Sequence, residues 1–169
     1  SYRVRDRDVT GENYTESLWV AEGITDYYAD LLVHRAGVST QSEYLQELSA
    51  NIESLQTTPG RLVQPIDMAS YDAWIKYYRP DENAANTSIS YYTKGVVLGA
   101  LLDAKIRRAT GGAKSLDDLM RLAFQRYSGA KGYTSEEFNA LADEVAGPRT
   151  LTRAWLASAV ESTDELDYR

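Results

Sequence analysis

Residues 18–37 read LWVAEGITDYYADLLVHRAG, a pattern that fits one helix of about five turns, stopped by Gly37 just past its C-terminus. The middle of this helix breaks local rules. Gly23 sits inside it, where glycine costs about 1 kcal/mol relative to alanine. Ile24, Thr25, Tyr27 and Tyr28 are β-branched or aromatic and only fair helix formers. Glu22 and Asp26 lie four apart, so two carboxylates stack on one face, a pairing that weakens an exposed helix. Local choices that disagree with the global pattern mark strained or functional sites. A glycine beside a carboxylate points to another backbone, or a ligand, passing close by.

Working outward, residues 1–14 alternate charges without apolar periodicity and read as an extended lead-in. Thr15 and Ser17 are both placed to cap the helix that follows. Thr40-Gln41-Ser42-Glu43 is a capping box opening a second helix, with Tyr44, Leu45, Leu48, Ile52 and Leu55 at helical spacing. Thr57-Thr58-Pro59-Gly60 ends it. Two short helical pieces are expected at 67–69 and 70–78, then a loop over 79–83. Ile89 to Thr110 reads as a long helix apolar nearly all round, hence buried. Gly95 and Gly99, one turn apart, leave a bare stripe along it where another element should approach closely. Ser115 caps a further helix to about Tyr127, with Leu116, Leu119, Met120, Ala123 and Phe124 inward. Thr134 caps another, ended by Gly147-Pro148, and Thr150 opens the last, through Val160. The acidic tail from Glu161 is expected to fray. No strand pattern is convincing, so the fold class is all-α, one helical domain over residues 1–169.

Composition narrows the function classes. The chain of 169 residues carries 18 basic against 25 acidic side chains, a net charge of −7, which argues against nucleic acid and anionic membrane as partners. Cysteine is absent, excluding disulfides and thiolate-bound metals. Its longest apolar runs are around seven residues, against the roughly 20 needed to span a bilayer. There is no phosphate-binding glycine loop, no nucleophile elbow, and one histidine, His34. His34 lies about 18 Å along the helix axis from Glu22, too far to share a metal with it, and suits a helix C-terminus.

Trp19-Val20-Ala21-Glu22-Gly23-Ile24-Thr25-Asp26-Tyr27-Tyr28, followed by Leu31 and Arg35-Ala36-Gly37, resembles the glycyl aminopeptidase family of zinc metallopeptidases, part of the wider thermolysin-like group. The similarity runs from about Glu12 to Tyr168; its most specific parts are WVAEGITDYY, the segment YYTKG and SLDD at 115–118. It implies the helical subdomain of a thermolysin-like catalytic domain. Glu22 is then the third zinc ligand and Asp26 a partner of a ligand histidine. The family's tyrosine that hydrogen-bonds the oxyanion falls on Tyr92, with Tyr91 as the fallback; Lys94 is structural or solvated. No HExxH occurs in the sequence, so the resemblance implies the C-terminal part of a catalytic domain. Its partner would be the missing N-terminal part of the same protein, and its substrate a peptide. Such a piece is expected to be inactive alone and to hold no zinc tightly. The alternative is a non-enzymatic helical module that binds a peptide in a tyrosine-rich groove. A sugar hydrolase with opposed carboxylates is disfavoured, because Glu22 and Asp26 share one helix face.

Overall fold

The computed structural model describes residues 14–129, 131–147 and 152–168. All regular structure among the described residues is helical. The first helical stretch begins differently from the expected continuous α-helix. Trp19–Ile24 is a π-helical segment that runs without a break into α1, Thr25–Arg35. A π-turn accommodates one residue more per turn than an α-turn and is frequent at functional sites; here Gly23 lies within it. Thr15 Oγ1 accepts the Ser17 N–H at 3.2 Å, and the Ser17 carbonyl accepts from Val20 and Ala21. Gly37, at φ 72°, closes α1 as expected. Its N–H reaches the His34 carbonyl and the Val38 N–H reaches that of Val33, the two bonds of a Schellman motif.

The capping box at Thr40 and Glu43 opens α2, Gln41–Thr57. Only Leu55 is buried along α2, and Leu45, expected inward, is 48% exposed, because this helix covers the edge of the bundle. A short 3-10 turn, Pro59–Leu62, leads to α3, Ile66–Tyr71, which runs through the break expected at Ser70. A second π segment, Ala73–Tyr77, replaces the rest of the expected piece. One short turn was not anticipated: α4, Ala84–Thr87. Local polar bonds hold it, with the Thr87 hydroxyl on the Asn83 carbonyl and the Ser88 hydroxyl on that of Ala84, and four residues are too few to set up an apolar period.

The centre of the fold is α5, Tyr91–Ala109, capped by Ser90 accepting the Thr93 N–H. It buries residues on every side, from Tyr91 through Val96, Leu98 and Leu102 to Ile106. Around it stand α6, Leu116–Tyr127, α7, Ser135–Ala146, and α8, Thr152–Glu161. Ser115 and Thr134 form capping boxes with Asp118 and Glu137. The expected start of the last helix at Thr150 lies outside the described residues. Phe124 is 56% exposed instead of inward, since Leu116, Leu119 and Ala123 already fill the buried face of α6 and Phe124 falls beyond its edge. One apolar cluster joins both π segments, α1, α3 and α5 to α8, from Trp19 and Ile24 to Leu98, Leu141 and Leu156, with Leu48 of α2 packed against it. Trp19 meets Phe138 edge-to-face at 5.9 Å. The acidic tail is non-helical, yet Leu166 packs on the core and Glu165 pairs with Arg61 at 3.0 Å.

Candidate active site

Two glycines bring the site together. The π segment crosses the start of α5 so closely that a Cβ on Gly23 would lie 2.5 Å from the Gly95 Cα, and one on Gly95 would lie 2.7 Å from the Gly23 Cα. The close approach expected from both glycines is therefore a single backbone-to-backbone contact between them. Gly99, one turn on, faces the Tyr27 ring.

This crossing places Glu22, half-buried on the π segment, against Tyr92 in the first turn of α5. Burial first, then the negative charge of Glu22, pushes the Tyr92 phenol up to about 12. Both effects favour the neutral phenol, the form that can donate a hydrogen bond. Tyr91, the fallback, packs its ring against Tyr92 at 4.7 Å between centroids. It is buried, and its hydroxyl donates to Tyr78 at 3.4 Å. Asp26 is exposed one turn beyond Glu22; partial burial, Glu22 and Asp30 together raise its carboxyl above the usual range. Lys94 is not solvated: it is 3% exposed, with Nζ directed at the Ser162 carbonyl 3.5 Å away, and burial lowers its pKa. His34 sits at the end of α1, its Nδ1 3.2 Å from the Ser39 carbonyl and its ring stacked on Tyr44.

A file of aromatic rings leads away from the Glu22–Tyr92 pair. Tyr77 packs on both Tyr91 and Tyr92, at 4.8 and 5.8 Å between centroids, and touches Tyr78 edge-on. Tyr78 in turn meets Trp74. The outer members face solvent, Trp74 at 44% and Tyr78 at 58% exposure, while Glu22 itself is half-buried. Tyr77 comes from the second π segment, which therefore reaches the first turn of α5 at this point. In the sequence these rings stand as two doublets, Tyr77-Tyr78 and Tyr91-Tyr92.

The third motif segment joins the same assembly. Asp117 of SLDD accepts the Tyr28 hydroxyl at 2.8 Å and Arg35 Nη1 at 2.9 Å. Its carboxyl is held low by these two partners against the opposing effect of its burial. Asp103, which sequence reasoning did not single out, ties Tyr27 to α6: one oxygen takes the Leu116 N–H at 2.7 Å, the other the Tyr27 hydroxyl and Arg107 Nε. Ser70 Oγ, likewise missed, accepts the Trp19 N–H at 3.2 Å, satisfying a donor at the start of the π segment. Among the described residues no three His, Cys, Asp or Glu side chains converge to hold a metal.

The chain superposes on the crystal structure of an aminopeptidase N family protein from Idiomarina loihiensis with a TM-score of 0.88 and 27% identity. That match covers 95% of this chain and 27% of the other, so the chain spans about a quarter of that protein's length. The sequence model of the M61 glycyl aminopeptidase family matches residues 2–98, a span that includes Glu22, Asp26 and Tyr92. The chain belongs to that family. No curated protein matches it at a significant level.

Proposed function

We propose that this chain supplies one carboxylate ligand and the oxyanion donor of a zinc aminopeptidase active site. Glu22 binds the metal, Tyr92 serves the developing oxyanion, and Asp26 steadies a histidine ligand. The observation that carries this reading is the Gly23–Gly95 backbone contact, which sets the π segment bearing Glu22 against the first turns of α5 bearing Tyr92, where the charge of Glu22 is felt by the Tyr92 phenol.

Zinc is the metal that the family resemblance implies. The residues present fit one share of its ligand set. Glu22 and Asp26 repel each other enough to contribute to the raised Asp26 carboxyl, and a cation beside them relieves that repulsion. A catalytic zinc takes three protein ligands and an open position; in this reading two histidines and the general-base glutamate come from sequence beyond these 169 residues. When bound, zinc polarises the scissile carbonyl and lowers the pKa of its water. The chain's own contribution is electrostatic. Tyr92 is protonated at neutral pH, as an ordinary phenol is, and burial and the Glu22 charge disfavour its ionisation further. It thus presents a fixed donor where negative charge gathers on the substrate oxygen, worth about 3 kcal/mol in the transition state.

The test uses the full-length protein with N-terminal peptide substrates. Tyr92→Phe is expected to lower kcat by about 10²–10³ with KM little changed, and Glu22→Gln to strip zinc as measured by elemental analysis. Full zinc content in Glu22→Gln, or unchanged kcat in Tyr92→Phe, refutes the assignments. The 169-residue chain alone is expected to retain no zinc at micromolar concentration and to cleave no peptide; either activity overturns the divided site.

A further inference from the structure

Glu22 and Gly23 are neighbours on the π segment, and Tyr92 lies one turn before Gly95 on α5. The pair that meets chemically is therefore flanked by the pair that meets sterically. A Cβ on Gly23 would also lie 2.8 Å from the Tyr91 carbonyl oxygen, and one on Gly95 would lie 2.9 Å from that of Trp19. Each obstacle is main chain belonging to the opposite element, which cannot swing aside as a side chain would. The contact thus fixes how deeply the two elements seat against each other.

We propose that the Gly23–Gly95 contact is a positioning device that sets the reach between the Glu22 carboxylate and the Tyr92 hydroxyl. The inference rests on reading those two groups as parts of one site. Catalytic constellations tolerate only about 0.5 Å of misplacement, and a side chain's exact height above its helix is too soft to guarantee that. A backbone stop is stiff. The π segment complements it, because the extra residue in that turn lets Gly23 face α5 while its neighbour Glu22 still reaches Tyr92. Gly95 acts here through Tyr92 and Glu22 and touches no substrate.

A double-mutant cycle in the 169-residue chain, read by urea unfolding, tests this. Glu22→Gln and Tyr92→Phe, made singly and together, measure the coupling between the two side chains, expected at about fivefold or more in the unfolding constant. In a Gly95→Ala background the coupling is expected to collapse toward unity, since the added methyl must force the elements apart. The same cycle in Val145→Ala, a core change in α7, is expected to keep the full coupling, which separates positioning from general loss of stability. Gly99→Ala is the graded variant. Its Cβ would meet the Tyr27 side chain at 3.3 Å, so it pries the helices apart by less and should reduce the coupling in part. Should Gly95→Ala fail to fold, Gly99→Ala decides. Undiminished coupling in the folded glycine variants overturns the positioning role. Absence of coupling in the parent chain overturns the Glu22–Tyr92 pairing itself, and with it the proposed function.

Discussion

Replacing Asp103 by alanine is expected to be among the most destabilising single changes in this chain. Its carboxylate, nearly buried on α5, accepts three donors: the Leu116 N–H at 2.7 Å, Arg107 Nε at 2.8 Å and the Tyr27 hydroxyl at 3.2 Å. Arg107 is half exposed and turns to water when its partner goes. The other two donors are buried, and each buried donor left without an acceptor costs about 1–3 kcal/mol. Their sum, less what is regained by no longer burying a charge, gives a loss of about 3–4 kcal/mol. For a chain of this length that lowers Tm by roughly 10 °C. Asp103→Asn should cost about half as much, because its remaining carbonyl oxygen still serves Leu116 but its amide faces two donors. Tyr27→Phe alone removes one of the three bonds, about 1 kcal/mol. Combined with Asp103→Ala it should cost less than the sum, since the hydroxyl it deletes is one of those orphaned. Urea unfolding of the four variants reads all of this. A cost below about 1 kcal/mol for Asp103→Ala, or strict additivity with Tyr27→Phe, refutes the account of Asp103 as the joint between α1, α5 and α6.

Three further outcomes follow from the same structure. Glu22→Gln removes the charge beside Tyr92 but leaves its burial, the larger cause of its raised pKa, so the phenol should fall from about 12 by on the order of one pH unit and remain above 10, as read by NMR of ring-labelled tyrosine; no movement separates the two groups. Tyr92, together with Tyr27, Tyr28 and Tyr91, is raised in the fold, so the neutral phenols stabilise it. That stability is complete below the ordinary pKa of 10 and is lost as pH rises, through about 12 for Tyr92; an unfolding midpoint constant from pH 9 to about 12 contradicts the sign. Thr40→Ala deletes one half of an exposed capping box and should cost about 1 kcal/mol, with faster amide exchange confined to the first turn of α2.

The helices were legible where their signals are local. Thr40, Ser115 and Thr134 announce caps because the bonds they make span three residues, and the all-round apolar content of α5 states its burial. The π segments were not legible. Hydrophobic periodicity over six residues does not separate an α-turn from one carrying an extra residue, and the choice at Trp19–Ile24 is enforced by a crossing with Gly95 from far along the chain. The same limit explains Leu45 and Phe124: both fit a helical stripe, but how wide a stripe the neighbours cover is a tertiary fact.

The site was legible in a different sense. Gly23 and Gly95 each stand inside a helical pattern at a local cost, and each was read as a place of close approach; nothing in the residues said that they approach each other. Glu22 and Tyr92 acquired roles through family resemblance, while their juxtaposition is a consequence of that glycine crossing. Tyr77 was visible as half of a doublet, yet its packing on Tyr92 depends on a second π segment bending the chain back toward α5. Locally unfavourable residues therefore mark where a contact must form, and the fold supplies its partner. For this chain Gly23 and Gly95, each costly within a helix, make one contact, and the chemically able side chains are their near neighbours on either side.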